Sequence, residues 1–137
     1  MNKKFPKIPL TKKEILSDYL LGWQSRHLSL VGRKEVLNGK AKFGIFGDGK
    51  EVAQLALARF FKDGDWRSGY YRDQTLMLAT GMFSPEEFFY QLYGVTDKVL
   101  NPANGGRSFN NHFGTRLLDF EGNWLDQTKN AKFCFTF

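Results

Sequence analysis

Residues 69–115 read GYYRDQTLMLATGMFSPEEFFYQLYGVTDKVLNPANGGRSFNNHFGT. Local chemistry marks the boundaries of two helices in this stretch. The first is expected over 72–80, closed by Gly81 as a left-handed C-terminal cap, because glycine alone adopts that conformation without a Cβ penalty. Ser84-Pro85-Glu86-Glu87 then opens the second with a capping hydroxyl, a first-turn proline and a capping glutamate, and Gly94 ends it. After Thr96 the chain turns to Asn, Gly and Pro and reads as an irregular loop to about Thr115. Short capped helices joined by sequence-specific loops predict a mainly helical piece.

Upstream, Lys42 to Phe46 is a short extended candidate that enters a Gly47-Asp48-Gly49 turn. A helix from Lys50 follows, with Val52, Leu55, Ala56 and Phe60 on one face, ending by Lys62-Asp63-Gly64-Asp65. Further back, Thr11 and Glu14 have the spacing of a capping box. They open a helix whose Leu16, Leu20, Trp23, His27 and Leu30 share one stripe, which is the expected buried face. Gly22 and Gly32 weaken that helix, so its end falls between Val31 and Leu37, before an Asn38-Gly39 turn. Residues 1–10 carry two prolines and three lysines and read as a loose basic arm. Downstream, Phe133, Phe135 and Phe137 alternate as a strand does.

The chain has 137 residues, enough for one domain or part of one with a real core. An apolar fraction of 42% with 14 Phe excludes a disordered chain. A net charge of +6 and a pI near 9.5 permit an anionic partner without identifying one. The single cysteine, Cys134, excludes an internal disulfide and a cysteine-based zinc cluster. No apolar run approaches the roughly 20 residues that span a bilayer, and the N-terminus lacks a signal peptide's apolar stretch. A cytoplasmic protein is expected.

Gly44 to Lys50 fits most of a phosphate-cradling P-loop, but Glu51 stands where a hydroxyl should reach a magnesium ion. A carboxylate there repels phosphate, so a Gly-rich turn with Asp48 capping the next helix is the preferred alternative. Tyr70-Tyr71-Arg72-Asp73 is the strongest local signal. An arginine beside a tyrosine at a helix start suits a diphosphate, through two parallel guanidinium hydrogen bonds, a phenol and the helix dipole. The competing account pairs Arg72 with Asp73 or Asp65 at the surface. The loop from Gly105 to Gly114 carries Arg107, Asn110, Asn111 and His112, and loops of this composition often border active sites. A simple hydrogen bond of His112 within its own loop is equally open. His27 is assigned to structure, and Phe88, Phe89, Tyr90 and Tyr93 to the core. No second His or Cys stands at ligand spacing.

Taken in order, five segments resemble the alpha subunit of the thiamine-diphosphate-dependent 2-oxo acid dehydrogenases, over about Leu10 to Asn130. They are Asp48-Gly49-Lys50-Glu51-Val52, Lys62-Asp63-Gly64-Asp65, Tyr71-Arg72, the Gly81 to Glu87 helix start, and Gly106-Arg107 through His112-Phe113-Gly114. The resemblance implies the N-terminal, mainly helical portion of an α/β, transketolase-like, thiamine-diphosphate-binding fold over 11–130. It implies that Tyr71 and Arg72 contact the cofactor diphosphate and that His112 borders the substrate. Gln74 and Lys50 depart from the family pattern, which puts substrate or cofactor contacts at those positions in doubt. Thiamine-diphosphate enzymes also hold magnesium with Gly-Asp-Gly and a downstream Asn pair. Gly47-Asp48-Gly49 and Asn110-Asn111 are too widely spaced for that, with residues 50–109 between them.

The implied activity is oxidative decarboxylation of a 2-oxo acid, of the branched-chain 3-methyl-2-oxobutanoate type, with acyl transfer to a lipoyl acyltransferase. A beta subunit or fused beta half would supply the glutamate that activates the cofactor, in a homo- or hetero-oligomer. Magnesium ligands are expected downstream. Residues 131–137 are expected to be an aberrant or truncated tail with an unpaired apolar edge, leaving a chain that is inactive alone. Two alternatives are a non-catalytic interaction fragment and a basic helical nucleic-acid-binding module. The separation of lysines from aromatics along the sequence argues against the second.

Overall fold

The structure, a computed structural model, describes residues 10–119 and 121–125 and the strand backbone of 133–136. The expected arm over 1–9, the expected boundary near Lys129 and Asn130, and Phe137 lie outside the described residues. Four helices and two strands occur in the order α1 (Lys12–Leu37), α2 (Glu51–Ala58), β1 (Trp66–Gly69), α3 (Gln74–Ala79), α4 (Pro85–Leu92) and β2 (Phe133–Thr136). Among the described residues no helix is long and apolar enough to cross a membrane.

The helix ends follow the chemistry of their caps. The Thr11 backbone N–H donates to Glu14 Oε2 at 2.7 Å, and Glu14 N–H donates to Thr11 Oγ1 at 3.3 Å. Ser84 and Glu87 repeat the exchange at 2.7 and 3.1 Å. At the end of α3, Gly81 takes φ 72°. There Gly81 N–H donates to Leu78 O and Met82 N–H to Met77 O, the paired bonds of a Schellman cap. Gly39 and Gly94 close α1 and α4 in the same way.

The core joins Leu28 of α1, Met77 and Leu78 of α3, Phe88 and Leu92 of α4, and Ala41, Phe83 and Phe113 from connecting segments. Phe46 and Phe89 pack against its edge, whereas Tyr93 reaches the surface and donates to Glu35 Oε2 at 2.7 Å. α1 runs unbroken through both of its glycines. A Cβ on Gly32 would lie 2.6 Å from Phe46 Cε1 and 2.9 Å from Phe88 Cζ, so this glycine is a contact point for two rings.

The expected buried face of α1 is corrected. Its inward residues are Ser25, Leu28, Ser29 and Gly32, while Leu16, Leu20, Trp23 and Leu30 are exposed. α2 behaves likewise, burying Gln54 and Leu55 and exposing Val52 and Phe60. The cause is a polar seam inside the bundle. Gln74, fully buried at the start of α3, donates to Ser25 O at 2.9 Å and to Ser29 Oγ at 3.3 Å. Ser25 and Thr75 share a 2.7 Å hydroxyl bond. A seam of hydrogen-bonding partners decides which helix face turns inward, because buried polar groups must be satisfied. The apolar faces of α1 and α2 instead flank a surface groove of about 510 Å³, walled by Tyr19, Trp23, Leu55 and Phe60.

β1 was not expected from the sequence. It pairs in parallel with β2, with Trp66 opposite Phe133 and Gly69 opposite Thr136. The expected strand near Phe133 is therefore present, and one of its edges is paired rather than open. The extended segment before Gly47 joins no sheet. The side chain of Asn110 serves it as a strand partner, with Ile45 N–H donating to Asn110 Oδ1 at 2.9 Å and Asn110 Nδ2 donating to Ile45 O at 2.6 Å.

Candidate anion-binding site

The turn over residues 70–73, between β1 and α3, is fixed from below by one nearly buried arginine. Arg67 donates through Nε and Nη2 to Asp73 Oδ2 at 2.9 and 2.6 Å, and through Nη2 to Tyr70 O at 2.6 Å. Its guanidinium also lies 5.5 Å from the Phe113 ring centroid. Gln54 Nε2 holds Arg72 O at 2.9 Å from the α2 side. Gly69 is required beside this clamp, since a Cβ there would overlap the Arg67 guanidinium. Gly47 is required below it, since a Cβ there would lie 2.7 Å from Arg72 O.

Because Asp73 is engaged by Arg67, it does not pair with Arg72. Asp65 accepts from Lys62 N–H at 2.7 Å instead. Among the described residues the exposed Arg72 guanidinium has no carboxylate partner. Its Cζ lies 5.9 Å from the Tyr70 ring centroid and 5.6 Å from that of Tyr71. The Tyr70 hydroxyl donates to the Tyr71 hydroxyl. That donation raises the Tyr70 phenol above its ordinary value. The Tyr70 phenol therefore keeps its proton at neutral pH. Tyr71 accepts from Tyr70, so its own hydrogen is free to donate outward and is strengthened by the chain of hydrogen bonds.

His112 comes to this cluster from the loop after α4. Its ring stacks at 6.2 Å from Tyr71, with an interplanar angle of 24°. Its Nδ1 lies 3.0 Å from Phe109 O and 3.3 Å from Asn110 O. Carbonyl oxygens only accept, so Nδ1 carries the hydrogen and Nε2 of the neutral ring is an acceptor and a base. The fold thus brings Tyr71, Arg72 and His112 together: a free guanidinium, an available phenol hydrogen and an imidazole nitrogen. The hydrogen bonds of His112 within its own loop are also present, so the two accounts of that residue coexist.

Three expectations around the site are corrected. The helix starts at Gln74 rather than Arg72 and spans six residues, so Arg72 lies before it and draws no support from a helix dipole. Gln74 faces the buried seam, where Asn111 Nδ2 donates to its Oε1 at 3.1 Å, and is remote from any ligand role. Asp48 does not cap α2: the N-cap is Lys50 without a side-chain bond, and Asp48 pairs with Arg33 at 2.8 Å. The P-loop alternative fails on geometry as well as sequence. Gly49 N–H, which would have to meet phosphate, donates to the Glu51 carboxylate at 3.0 Å, and Arg26 grips that carboxylate at 2.6 Å.

His27 is structural as expected, stacked on Trp23 with centroids 3.7 Å apart and Nδ1 donating to Trp23 O at 2.9 Å. Asn110 and Asn111 both bond the backbone of Ile45. Among the described residues no three His, Cys, Asp or Glu side chains gather as metal ligands. Arg67 and Gln54, which set the turn, had no signal in the sequence. No known protein-family model matches the chain.

Proposed function

We propose that the chain belongs to a thiamine-diphosphate-dependent 2-oxo acid dehydrogenase and contributes the diphosphate end of its cofactor site. The observation that carries this is the uncompensated Arg72 guanidinium beside the Tyr71 hydroxyl, with His112 stacked against Tyr71. These residues fit a diphosphate: a planar fork of donors, a second donor and no competing carboxylate. When bound, thiamine diphosphate supplies the nucleophilic carbon and electron sink that decarboxylation of a 2-oxo acid requires. Arg72 and Tyr71 bind and orient the diphosphate, and Arg67 holds the turn that presents them. His112 Nε2 can take a proton at the substrate side while Nδ1 stays fixed on its carbonyls.

Among the described residues no three His, Cys, Asp or Glu side chains gather to hold the magnesium of the implied enzyme. A branched-chain 2-oxo acid, a beta subunit or fused beta half, a lipoyl acyltransferase and a cytoplasmic setting complete the proposal by family analogy. The exposed apolar faces of α1 and α2 support its oligomeric part, since large uncovered apolar patches are uncommon on monomers.

The test is calorimetric titration of the chain with thiamine diphosphate and magnesium, beside an Arg72→Ala variant. Binding that the variant loses, with an unchanged thermal melt, is the expected result. A folded chain that gives no heat with thiamine diphosphate or inorganic pyrophosphate sinks the diphosphate assignment.

A further inference from the structure

Behind His112 lies a second concavity of about 540 Å³, whose wall is formed by Lys42, Phe43, Tyr93, Arg107, Phe109 and His112 among others. Its volume is in the range of small-molecule sites. Phe43 and Phe109 meet with centroids 4.7 Å apart, and both rings stay about half exposed, at 48% and 58%. The two rings are tilted by 54°, so they form an angled apolar shelf on which one exposed ring face can take a flat ligand. The charges are one-sided. No carboxylate stands in the lining. Lys40, at the rim, is compensated by Glu35 at 3.5 Å, and Glu35 also accepts from Tyr93. Lys42 and Arg107 have no ion-pair partner among the described residues, which leaves two positive charges facing the space.

We infer that this basin binds a nucleoside phosphate, with Arg107 and Lys42 on the phosphate and the base against the Phe43–Phe109 shelf. A guanidinium fork and an ammonium suit a dianionic phosphate, and a flat ring is what an aromatic shelf stacks best. A single ring pair suits one nucleotide rather than a strand, which needs successive stacking platforms. Residues 40–43 and 107–112 are far apart in sequence, and the fold brings Lys42 with Phe43 beside Arg107 with Phe109. The site shares only His112 with the Tyr71 and Arg72 cluster, and it does not depend on the thiamine-diphosphate proposal.

The test is calorimetry of the full chain with ADP and with UDP. Inorganic phosphate, thiamine diphosphate and a short oligouridylate form separate arms. Binding of either nucleotide is expected, weakened about tenfold or more by Arg107→Gln and also weakened by Phe109→Ala, while Arg72→Ala leaves it intact. Retention of nucleotide binding by Arg72→Ala separates this site from the diphosphate cluster, whatever the thiamine-diphosphate arm gives. Should Arg107→Gln fail to fold by its melt, Lys42→Gln takes its place. The inference is overturned by any of four results: no heat with either nucleotide, equal affinity for inorganic phosphate, much tighter binding of oligouridylate, or full binding in both charge variants.

Discussion

Arg67 is nearly buried and Arg72 exposed although both flank one turn, because Asp73 is committed to the first guanidinium and leaves none of its charge for the second. This division separates folding from binding. Arg67→Gln takes the guanidinium from Asp73 and Tyr70 O, leaving Asp73 the Tyr70 N–H and Gln54 Nε2, and is expected to destabilise the fold by about 2–3 kcal/mol, with anion binding lost as the turn relaxes. Arg72→Ala removes only an exposed guanidinium's contacts with the Tyr70 and Tyr71 rings, so its melt should stay near that of the parent. Chemical denaturation of the two variants distinguishes them, and an Arg67→Gln variant as stable as the parent would refute the clamp. Gln74 offers a second test at the same scale. Gln74→Leu removes donors to Ser25 O and Ser29 Oγ and the acceptor of Asn111 Nδ2. Each group keeps one other partner, since Ser29 Oγ donates to Ser25 O and Asn111 Nδ2 to Ile45 O, so the expected loss is about 1–3 kcal/mol. A loss within about 0.5 kcal/mol would mean the seam is incidental. Tyr71, Arg72 and His112 stand out as candidates in the sequence because they lie in short polar motifs. Arg67 was not, because its role exists only once the turn has folded under it.

Among the elements, α1 is where sequence and structure diverge most, and the reason is instructive. Caps are local, so Thr11 with Glu14, Ser84 with Glu87, and Gly81 could be read directly. Burial is not local. The apolar stripe of α1 has the right spacing for a core face, yet the polar partners on α3 turn Ser25 and Ser29 inward. β1 was missed for the same reason: its four residues are extended through pairing with a segment far along the chain. The orientation of α1 makes a quantitative forecast. Leu20→Lys, at a site 63% exposed, should change stability by less than about 0.5 kcal/mol. Leu28→Ala, at a core site, should cost about 2–5 kcal/mol. The reverse ranking in urea denaturation would mean that the helix is rotated. Gly32→Ala belongs with Leu28, since the added methyl meets two core rings, and about 1–3 kcal/mol of destabilisation is expected.

At the scale of the whole molecule, α1 is tied to the segment after it by ion pairs as well as by packing. Arg26 meets Glu51, Arg33 meets Asp48, and Arg59 meets Asp18 and Glu14. Glu51 is the best placed of the acids, with its side chain only 11% exposed. The Arg26 hydrogen bonds chiefly hold its carboxyl below the ordinary value of 4.5, helped by its own and the Gly49 backbone N–H groups, against the opposing effect of burial. A carboxyl lowered in the folded state contributes stability that is complete above its unfolded value and is lost as pH falls through the folded one. The molecule is therefore expected to weaken progressively as pH falls below the ordinary carboxyl value of 4.5. Glu51→Gln should be less stable than the parent near neutrality and should lose less on acidification, so that the two denaturation curves converge in acid. Parallel pH profiles would show that the Arg26–Glu51 contact does not couple α1 to α2, and would move the acid sensitivity to Glu14, whose carboxyl the Thr11 hydrogen bonds chiefly hold below its ordinary value.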